Sequence, residues 1–340
     1  MAEGLAHARG RLAARLTAPL RRLRARAEAR IPPRAPEPLP VRFDRRRIYV
    51  LPTRFGLFFS TVLGAMLVGA LNYNNNPAML LALLLGGAAL TSLFASHLQL
   101  SGLGVVSVGA EPVAAGRPLL VRVHARAEPG RTRRGLRLRC TDAEADAPSE
   151  AWLSLDHGAG EAVLELPTRR RGWLQPPRLR IATTRPLGLA VAWSYVWPAQ
   201  PLLVYPAPEA QGPALPEGAG DQAQARMHPA GDDVHHLRSY RRGDPRRAIA
   251  WKASARRDEL LVREYEQPQG ADVDLDWDYV SALSWESRIR RLARWVDEAE
   301  RDGRRYRLRL PGQTALGPDR GDAHRHACLR ALALMPEGPG

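Results

Sequence analysis

The chain has 340 residues, a net charge of +15 and only two cysteines. Two cysteines cannot form a disulfide framework, so the small disulfide-rich secreted proteins are excluded. The positive charge lies almost entirely in arginine, since one lysine stands among the 50 basic residues. The sequence has no zinc-finger spacing, no basic zipper and no basic strand interleaved with aromatic residues. We therefore expect no nucleic-acid partner.

Residues 1–54 form a basic segment with 14 arginines and 4 acidic residues, a net charge of +10. Five of these arginines lie close to the first apolar run: Arg42, Arg45, Arg46, Arg47 and Arg54. A polybasic stretch beside a membrane binds anionic lipid headgroups, and the positive-inside rule places it in the cytoplasm. We therefore predict a basic cytoplasmic N-terminal segment with membrane lipid as its partner.

Residues 55–100 contain two apolar runs that predict a transmembrane hairpin. Residues 55–71 and 78–94 are both free of charge, and 17 residues of helix can cross a hydrocarbon core with little to spare. The link between them is short, polar and ends in Pro77. Two antiparallel spans, at about 55–72 and 78–96, follow from this pattern. A buried helical pair of a water-soluble protein is the alternative.

Short alternating runs follow in residues 101–205. Val121, Val123 and Ala125 alternate with Arg122 and His124, which is the period of a half-buried strand. Similar runs occur at residues 136–139, 163–166, 179–183, 189–193 and 202–205, separated by Gly, Pro and Asp. Six or seven short strands with turns between them predict an antiparallel β-sandwich of immunoglobulin-like type. Residues 206–230, rich in Pro, Gly and Ala at their start, read as a linker.

The most specific segment of the chain, which we call the signature segment, is residues 238–266. A glycine, Gly243, precedes Asp244 and Pro245, which suit a turn and the first positions of a helix over residues 245–257. Lys252 and Arg256 lie four apart on the polar side of that helix, and residues 260–265 alternate like a strand. The sequence therefore predicts a turn, a helix and a strand.

This signature segment resembles that of the domain of unknown function 58 family, a group of bacterial membrane-associated proteins. The run at residues 184–189, followed by Trp193, Val204, Tyr205 and Pro206, also resembles the family's pattern. The resemblance covers residues 45–335. Family members are often associated with MoxR-type AAA+ ATPases, so the resemblance implies such an ATPase as a partner.

The charged and aromatic residues of the signature segment have two interpretations. They form a network that fixes the helix on the strand, or they form a surface that binds a partner. The candidate docking residues are Arg238, Tyr240, Gly243, Asp244, Trp251, Lys252, Ser254, Arg256 and Glu264. We expect no catalytic residue and no cofactor. The alternative is a membrane-associated enzyme that uses the Arg, Asp and Lys cluster on an anionic substrate.

We predict that residues 231–340 contain the signature segment followed by a small α/β unit. Strands at 271–277 and 306–310 alternate with helices at 286–302 and 323–334, which implies parallel pairing. Family members commonly carry a von Willebrand factor A-like domain here, and the length available implies a truncated form. That domain type holds a cation with an aspartate followed by two alternating serines. This chain has no serine at either position after Asp276, so Asp276 and Asp278 are only weak metal candidates and we expect no metal.

Together these predictions describe a membrane-anchored α+β protein: a two-helix hairpin, a sandwich and an α/β unit. We expect a non-enzymatic adaptor in the bacterial inner membrane, with two passes and both termini in the cytoplasm. Two spans return the chain to its starting side, which sets the second terminus.

Overall fold

The computed structural model describes residues 34–127, 132–140, 148–216, 233–239, 250, 254, 261–266 and 272–338. Over these residues the chain is α+β, with four α-helices and several antiparallel sheets. It divides into two units. The first comprises residues 1–169 and 173–204, and the second comprises residues 170–172 and 205–340.

Twelve strands are described between residues 41 and 205. They are β1 (Val41–Arg42), β2 (Tyr49–Pro52), β3 (Leu103–Ala110), β4 (Val113–Ala114), β5 (Leu119–Ala127), β6 (Arg133–Cys140), β7 (Ser149–Leu155), β8 (Ala159–Leu166), β9 (Gly172–Leu174), β10 (Leu179–Thr183), β11 (Ala190–Val196) and β12 (Leu202–Tyr205). One sheet has the order β1-β3-β5-β8 and a second the order β2-β11-β10-β6-β7; β4-β12-β9 form a short third sheet. All the described strand pairs in the two larger sheets are antiparallel.

The two larger sheets share one apolar core. Alternate residues of β5 are buried, as the period of two predicts, and they join residues of the second sheet such as Leu138 and Ile181 in one cluster. The strands predicted near residues 119–126, 136–139, 163–166, 179–183, 189–193 and 202–205 are confirmed. Two packed antiparallel sheets therefore form the body of the first unit.

Two helices lie between β2 and β3: α1 (Arg54–Asn72) and α2 (Asn76–Leu100). The Thr53 hydroxyl accepts from the Gly56 amide at 2.9 Å, and the Asn75 side chain accepts from the Ala78 amide at 3.1 Å, so each helix starts with a polar cap. The predicted pair of helices joined by a short polar link is confirmed. Both are long and apolar enough to cross a membrane, and only 11% of the residues in the most apolar window of each are buried.

Helix α2 is longer than α1 because its end packs on the sheet. At 1.5 Å per residue α1 spans about 28 Å and α2 about 38 Å. Ser92, Ser96 and Leu100, four residues apart along one helix face, are all buried. The contacts of α2 with β2, β10 and β11 lie in this unit. The last two turns of α2 are therefore part of the first unit's folded body.

Two strands that the sequence pattern does not reveal precede the helices. In β1, Val41 pairs with Val105 of β3, and in β2, Tyr49 pairs with Trp193 of β11. They are too short, at two and four residues, to show a period. Because β1 and β2 belong to different sheets, the chain leading into α1 contributes an edge strand to both.

The second unit contains five strands and two helices among its described residues. They are β13 (Asp233–Ser239), β14 (Leu261–Glu266), β15 (Val273–Asp276), α3 (Trp285–Arg301), β16 (Tyr306–Arg309), β17 (Leu316–Asp319) and α4 (Asp322–Ala333). β15 pairs in parallel with β16 across α3, as predicted, and β17 then pairs antiparallel with β16. The predicted strands and helices over residues 271–334 are confirmed with ends shifted by up to two residues.

Part of the predicted linker lies along α3. The carboxylate of Glu209 pairs with the Arg291 guanidinium, which also donates from Nη2 to Oε1 at 3.1 Å. The Trp295 indole N–H donates to the Pro213 carbonyl at 3.2 Å. The hydrogen bond from Arg291, aided by its charge, lowers the pKa of Glu209. Residues 207–216 are therefore a strap on α3.

The structure leaves no room for a methyl group at Gly56, in the first turn of α1. This gives a test of how the helices pack at their base, the end where α1 and α2 join the sheets. A Cβ there would lie 1.9 Å from the Leu189 carbonyl oxygen, whereas a Cβ at Gly64 meets nothing within 4 Å. We expect Gly56→Ala to cost about 1–3 kcal/mol through overpacking against backbone. Thermal unfolding of the detergent-solubilised chain measures this. Gly64→Ala is the matched control, and equal melting temperatures for the two variants would contradict the packing at the base.

Candidate functional site

Most of the predicted docking residues lie outside the described residues: Tyr240, Gly243, Asp244, Trp251, Lys252 and Arg256. Arg238 lies in β13, where its backbone pairs with Val262, and Glu264 lies in β14 opposite His236. The predicted strand at residues 260–265 is confirmed as β14, and its partner β13 is a strand that the sequence pattern did not reveal. The signature segment is thus flanked by a two-stranded antiparallel ladder, which brings the backbones of Arg238 and Glu264 to one ribbon.

Of the predicted signature helix the structure describes two residues, Ala250, which is buried, and Ser254. Ser254 is also buried, its amide donates to the Ala250 carbonyl at 2.9 Å, and its hydroxyl donates to the same oxygen at 3.1 Å. A bond from residue i to residue i−4 is the bond of an α-helical turn. This position therefore points to a packed serine, with its hydroxyl engaged locally, rather than to an exposed docking group.

The end of the first unit from which the helices emerge holds a dense set of polar contacts. The Thr53 hydroxyl donates to the Gly188 carbonyl at 2.5 Å, and the Thr53 amide donates to the Leu189 carbonyl at 2.8 Å. The Ser96 hydroxyl donates to the Arg185 carbonyl at 2.7 Å. The β10–β11 turn, residues 184–189, is thereby bonded to both helices. This turn is the run that the sequence analysis singled out, and its role could not be read from the run itself.

A buried arginine completes this helix base. Arg133 of β6 is 2% exposed, and its guanidinium donates to the Gln99 carbonyl at 2.9 Å and to the Ser101 carbonyl at 2.8 Å. The last carbonyls of a helix have no partner within the helix, and a cation there also complements the helix dipole. Arg133 therefore caps the end of α2 from the second sheet. Sequence analysis missed it because it is one arginine among many.

The acidic alternation at residues 272–278 faces arginines. Asp274 lies 3.5 Å from Arg307, and Asp276 lies 3.8 Å from Arg309, their neighbours in the parallel register of β15 and β16. Asp272 pairs in the same way with Arg305 at 3.8 Å. The other face of β15 carries the buried Val273 and Leu275. The carboxylates thus form a cross-strand charge ladder on one face of the sheet.

This ladder bears directly on the weak metal candidates. Asp276 Oδ1 accepts from the amide of Asp278 at 3.0 Å, and Oδ2 faces Arg309. A divalent cation prefers several oxygen ligands with uncompensated charge. Within the described part of the chain no group of three or more His, Cys, Asp or Glu is placed to hold a metal ion.

A histidine and a cysteine lie close together in the core of the second unit. Cys328 and His324 of α4 are buried, with Sγ 3.6 Å from Nε2, and the same Nε2 lies 3.0 Å from the Tyr306 carbonyl oxygen. Burial raises the pKa of Cys328 to about 12. The thiol therefore stays protonated at neutral pH and is a poor nucleophile.

One face of the second sheet interleaves arginines with aromatic rings, a pattern that the sequence analysis did not find. Arg180 stacks over Trp193 at 5.3 Å and Arg178 over Tyr195 at 4.9 Å. Trp193 and Tyr195 are only 2% and 4% exposed, so these rings are not open for bases to stack on. The arrangement favours a structural role for these cation–π pairs.

Neither family models nor curated proteins nor solved structures gave a match to this chain.

The first test of the helix base removes its buried cation. We expect Arg133→Ala to leave two helix-end carbonyls without their donor, at about 1–3 kcal/mol each. Arg134→Ala is the matched control, because Arg134 is exposed and 3.6 Å from Asp156, and such pairs contribute about 0–1 kcal/mol. Denaturant unfolding of both variants in detergent measures the difference. Equal stabilities would contradict the capping role.

The second test concerns the charge ladder. Because Arg305, Arg307 and Arg309 compensate the carboxylates, we expect titration calorimetry of the full chain with magnesium to show no saturable binding. Saturable binding that Asp276→Ala abolishes would show that the ladder opens to hold a cation.

Proposed function

We propose that this chain is a non-enzymatic adaptor of the domain of unknown function 58 family, anchored in the bacterial inner membrane by its helical hairpin. One observation carries the membrane anchor: α1 and α2 leave the folded body of the first unit with apolar side chains exposed on most of their length. Phe58, Val68, Leu84 and Phe94 are 65–69% exposed. Apolar surface of this extent is stable in lipid and unstable in water.

Charge at the base of the helices supports cytoplasmic placement of both termini. Exposed arginines at this end come from several parts of the chain: Arg42 in β1, Arg54 at the start of α1, Arg126 in β5 and Arg185 in the β10–β11 turn. Arg42 and Arg126 flank Gly104, close after the end of α2. Cations at one membrane face are typical of the cytoplasmic side.

We also propose a fold type for each of the two units. Two antiparallel sheets around a shared core support an immunoglobulin-like sandwich for the first unit. The parallel pair β15 and β16, joined through α3 and followed by α4, supports a truncated von Willebrand factor A-like unit. In the described residues, one face of β15 carries the charge ladder and the other carries the buried Val273 and Leu275.

A MoxR-type AAA+ ATPase is the proposed partner, docked on the signature segment. The β13–β14 ladder supports this by holding the two ends of the segment side by side. The charged residues to test are Lys252, Arg256 and Asp244. Electrostatic attraction between their surface and an oppositely charged surface of the partner would raise the rate of association.

Topology is tested by reporters fused after Gly340. We expect a reporter that works only in the cytoplasm to be active and a periplasmic reporter to be silent, because two spans return the chain to the side of its arginines. The same pair of fusions placed after Tyr73, in the turn between the helices, is the control and should give the opposite result. A periplasmic signal from the fusion after Gly340 would contradict the two-pass anchor.

Docking is tested by capture of a nucleotide-trapped AAA+ partner on the detergent-solubilised chain. We expect Lys252→Ala and Arg256→Ala to keep the melting temperature within about 1 °C, since exposed substitutions change stability by about 0.5 kcal/mol or less, and to lose most of the capture. The sequence predicts Asp244 as a helix cap worth about 1 kcal/mol, so Asp244→Ala should lower the melting temperature instead.

Arg301→Ala, an exposed arginine at the end of α3, is the control for loss of charge in the same unit. Full capture by stably folded Lys252→Ala and Arg256→Ala proteins would contradict the docking surface. No capture by the unaltered chain would contradict the adaptor and leave the enzyme alternative, in which the same cluster binds an anionic substrate.

A further inference from the structure

The β10–β11 turn, residues 184–189, is held at the level where the helices leave the sheet. The Gly188 amide donates to the Thr184 carbonyl at 2.8 Å and closes the turn. Thr53, which bonds to Gly188, stands immediately before α1, and Ser96, which bonds to Arg185, lies in the last two turns of α2. Leu189 contacts the backbone of Gly56, in the first turn of α1. The turn is therefore fixed beside both helices.

An apolar side chain is exposed in the middle of this fixed turn. Leu187 is 54% exposed, and its neighbours Arg185 and Pro186 are exposed as well. At the same level the helices present Phe55 and Phe94, which are 55% and 69% exposed. The turn thus extends the apolar surface of the helices sideways and adds a cation beside it.

We propose that the β10–β11 turn is a third membrane contact, in which Leu187 inserts at the boundary of headgroups and acyl chains and Arg185 binds a lipid phosphate. The inference rests on the membrane placement proposed above. The occupant is the bilayer, because the turn continues the exposed apolar faces of α1 and α2 and carries a guanidinium rather than a carboxylate. An apolar tip next to a cation is the chemistry of interfacial anchors.

Such a contact has a mechanical effect on the first unit. Two adjacent helices leave the unit free to tilt about the line that joins them, whereas a third point to the side defines a plane. The hydrogen bonds from Thr53 and Ser96 transmit that constraint to β10 and β11, so the sheet keeps one orientation relative to the membrane surface.

The test places an environment-sensitive fluorophore at position 187. Cys140 and Cys328 are 1% and 0% exposed, so a thiol introduced by Leu187→Cys can be labelled with a nitrobenzoxadiazole probe, and the unaltered chain gives the labelling blank. The full-length protein is reconstituted in vesicles of phosphatidylethanolamine and phosphatidylglycerol, with and without chain-brominated phosphatidylcholine. Bromine quenches the probe only where it lies among acyl chains.

Two variants bracket the result. Phe94→Cys probes the exposed face of α2. Leu120→Cys is the matched control, because Leu120 is also exposed, at 48%, but lies at the far end of β5. Ala127, at the near end of β5, pairs with Leu103 just after α2, and seven residues of strand put Leu120 about 23 Å beyond it.

We expect quenching of the probe in Leu187→Cys close to that in Phe94→Cys and several-fold stronger than in Leu120→Cys. Quenching in Phe94→Cys alone would overturn the third contact and leave the hairpin anchor standing. Absence of quenching in all three variants would overturn the anchor and the third contact together. A blue-shifted probe in Leu187→Cys that bromine does not quench would mean that protein covers the turn, and would also overturn the inference.

Discussion

The first unit depends on one constraint: the two helices join its sheets with almost no chain between them. Residue 53 alone separates β2 from α1, and residues 101 and 102 separate α2 from β3. Because β2 and β3 lie in different sheets, the root of the hairpin links both. Any movement of the helices at their base would have to move β2, an edge strand of one sheet, and β3, an inner strand of the other.

This constraint explains why the base is rich in specific polar contacts. At the end of α2 the chain must turn while it is packed against the core, and Leu100 and Leu103 on either side are fully buried. Carbonyl groups in such a position cannot rely on water, so protein donors must satisfy them. Arg133 supplies these bonds to Gln99 and Ser101. Thr53 and Ser96 donate instead to carbonyls of the neighbouring β10–β11 turn.

The sequence predicted the elements whose signal is local. Uncharged runs gave the two helices, and alternation gave β5, β10, β15 and β16. It missed eight of the described strands: β1, β2, β3, β4, β7, β9, β13 and β17. Of these, β1 and β2 are too short for a period, and β13 mixes His and Arg with its apolar residues. These segments are strands because other strands pair with them. The local sequence of a segment does not show which distant strand pairs with it.

Side-chain roles were harder to predict than elements, because they depend on register. The aspartates at 272, 274 and 276 look like cation ligands until the parallel pairing sets Arg307 beside Asp274 and Arg309 beside Asp276. The turn at residues 184–189 was recognised as a pattern, but only its hydrogen bonds to Thr53 and Ser96 give it a place. In the signature segment, the docking role of the charged residues Lys252 and Arg256 stays a prediction.

With the hairpin placed across a bilayer, as proposed, its unequal ends have a consequence for membranes of different thickness. The base is tied to two sheets, whereas the bonds described for the far turn are local, such as Tyr73 N to Gly69 O and Asn75 N to Ala70 O, both 2.9 Å. Tyr73 there is 81% exposed. In a thicker or thinner membrane the mismatch would be taken up at this far end, where lipid can deform around a small polar turn. The height of the first unit above the lipid would then stay constant from one membrane to another.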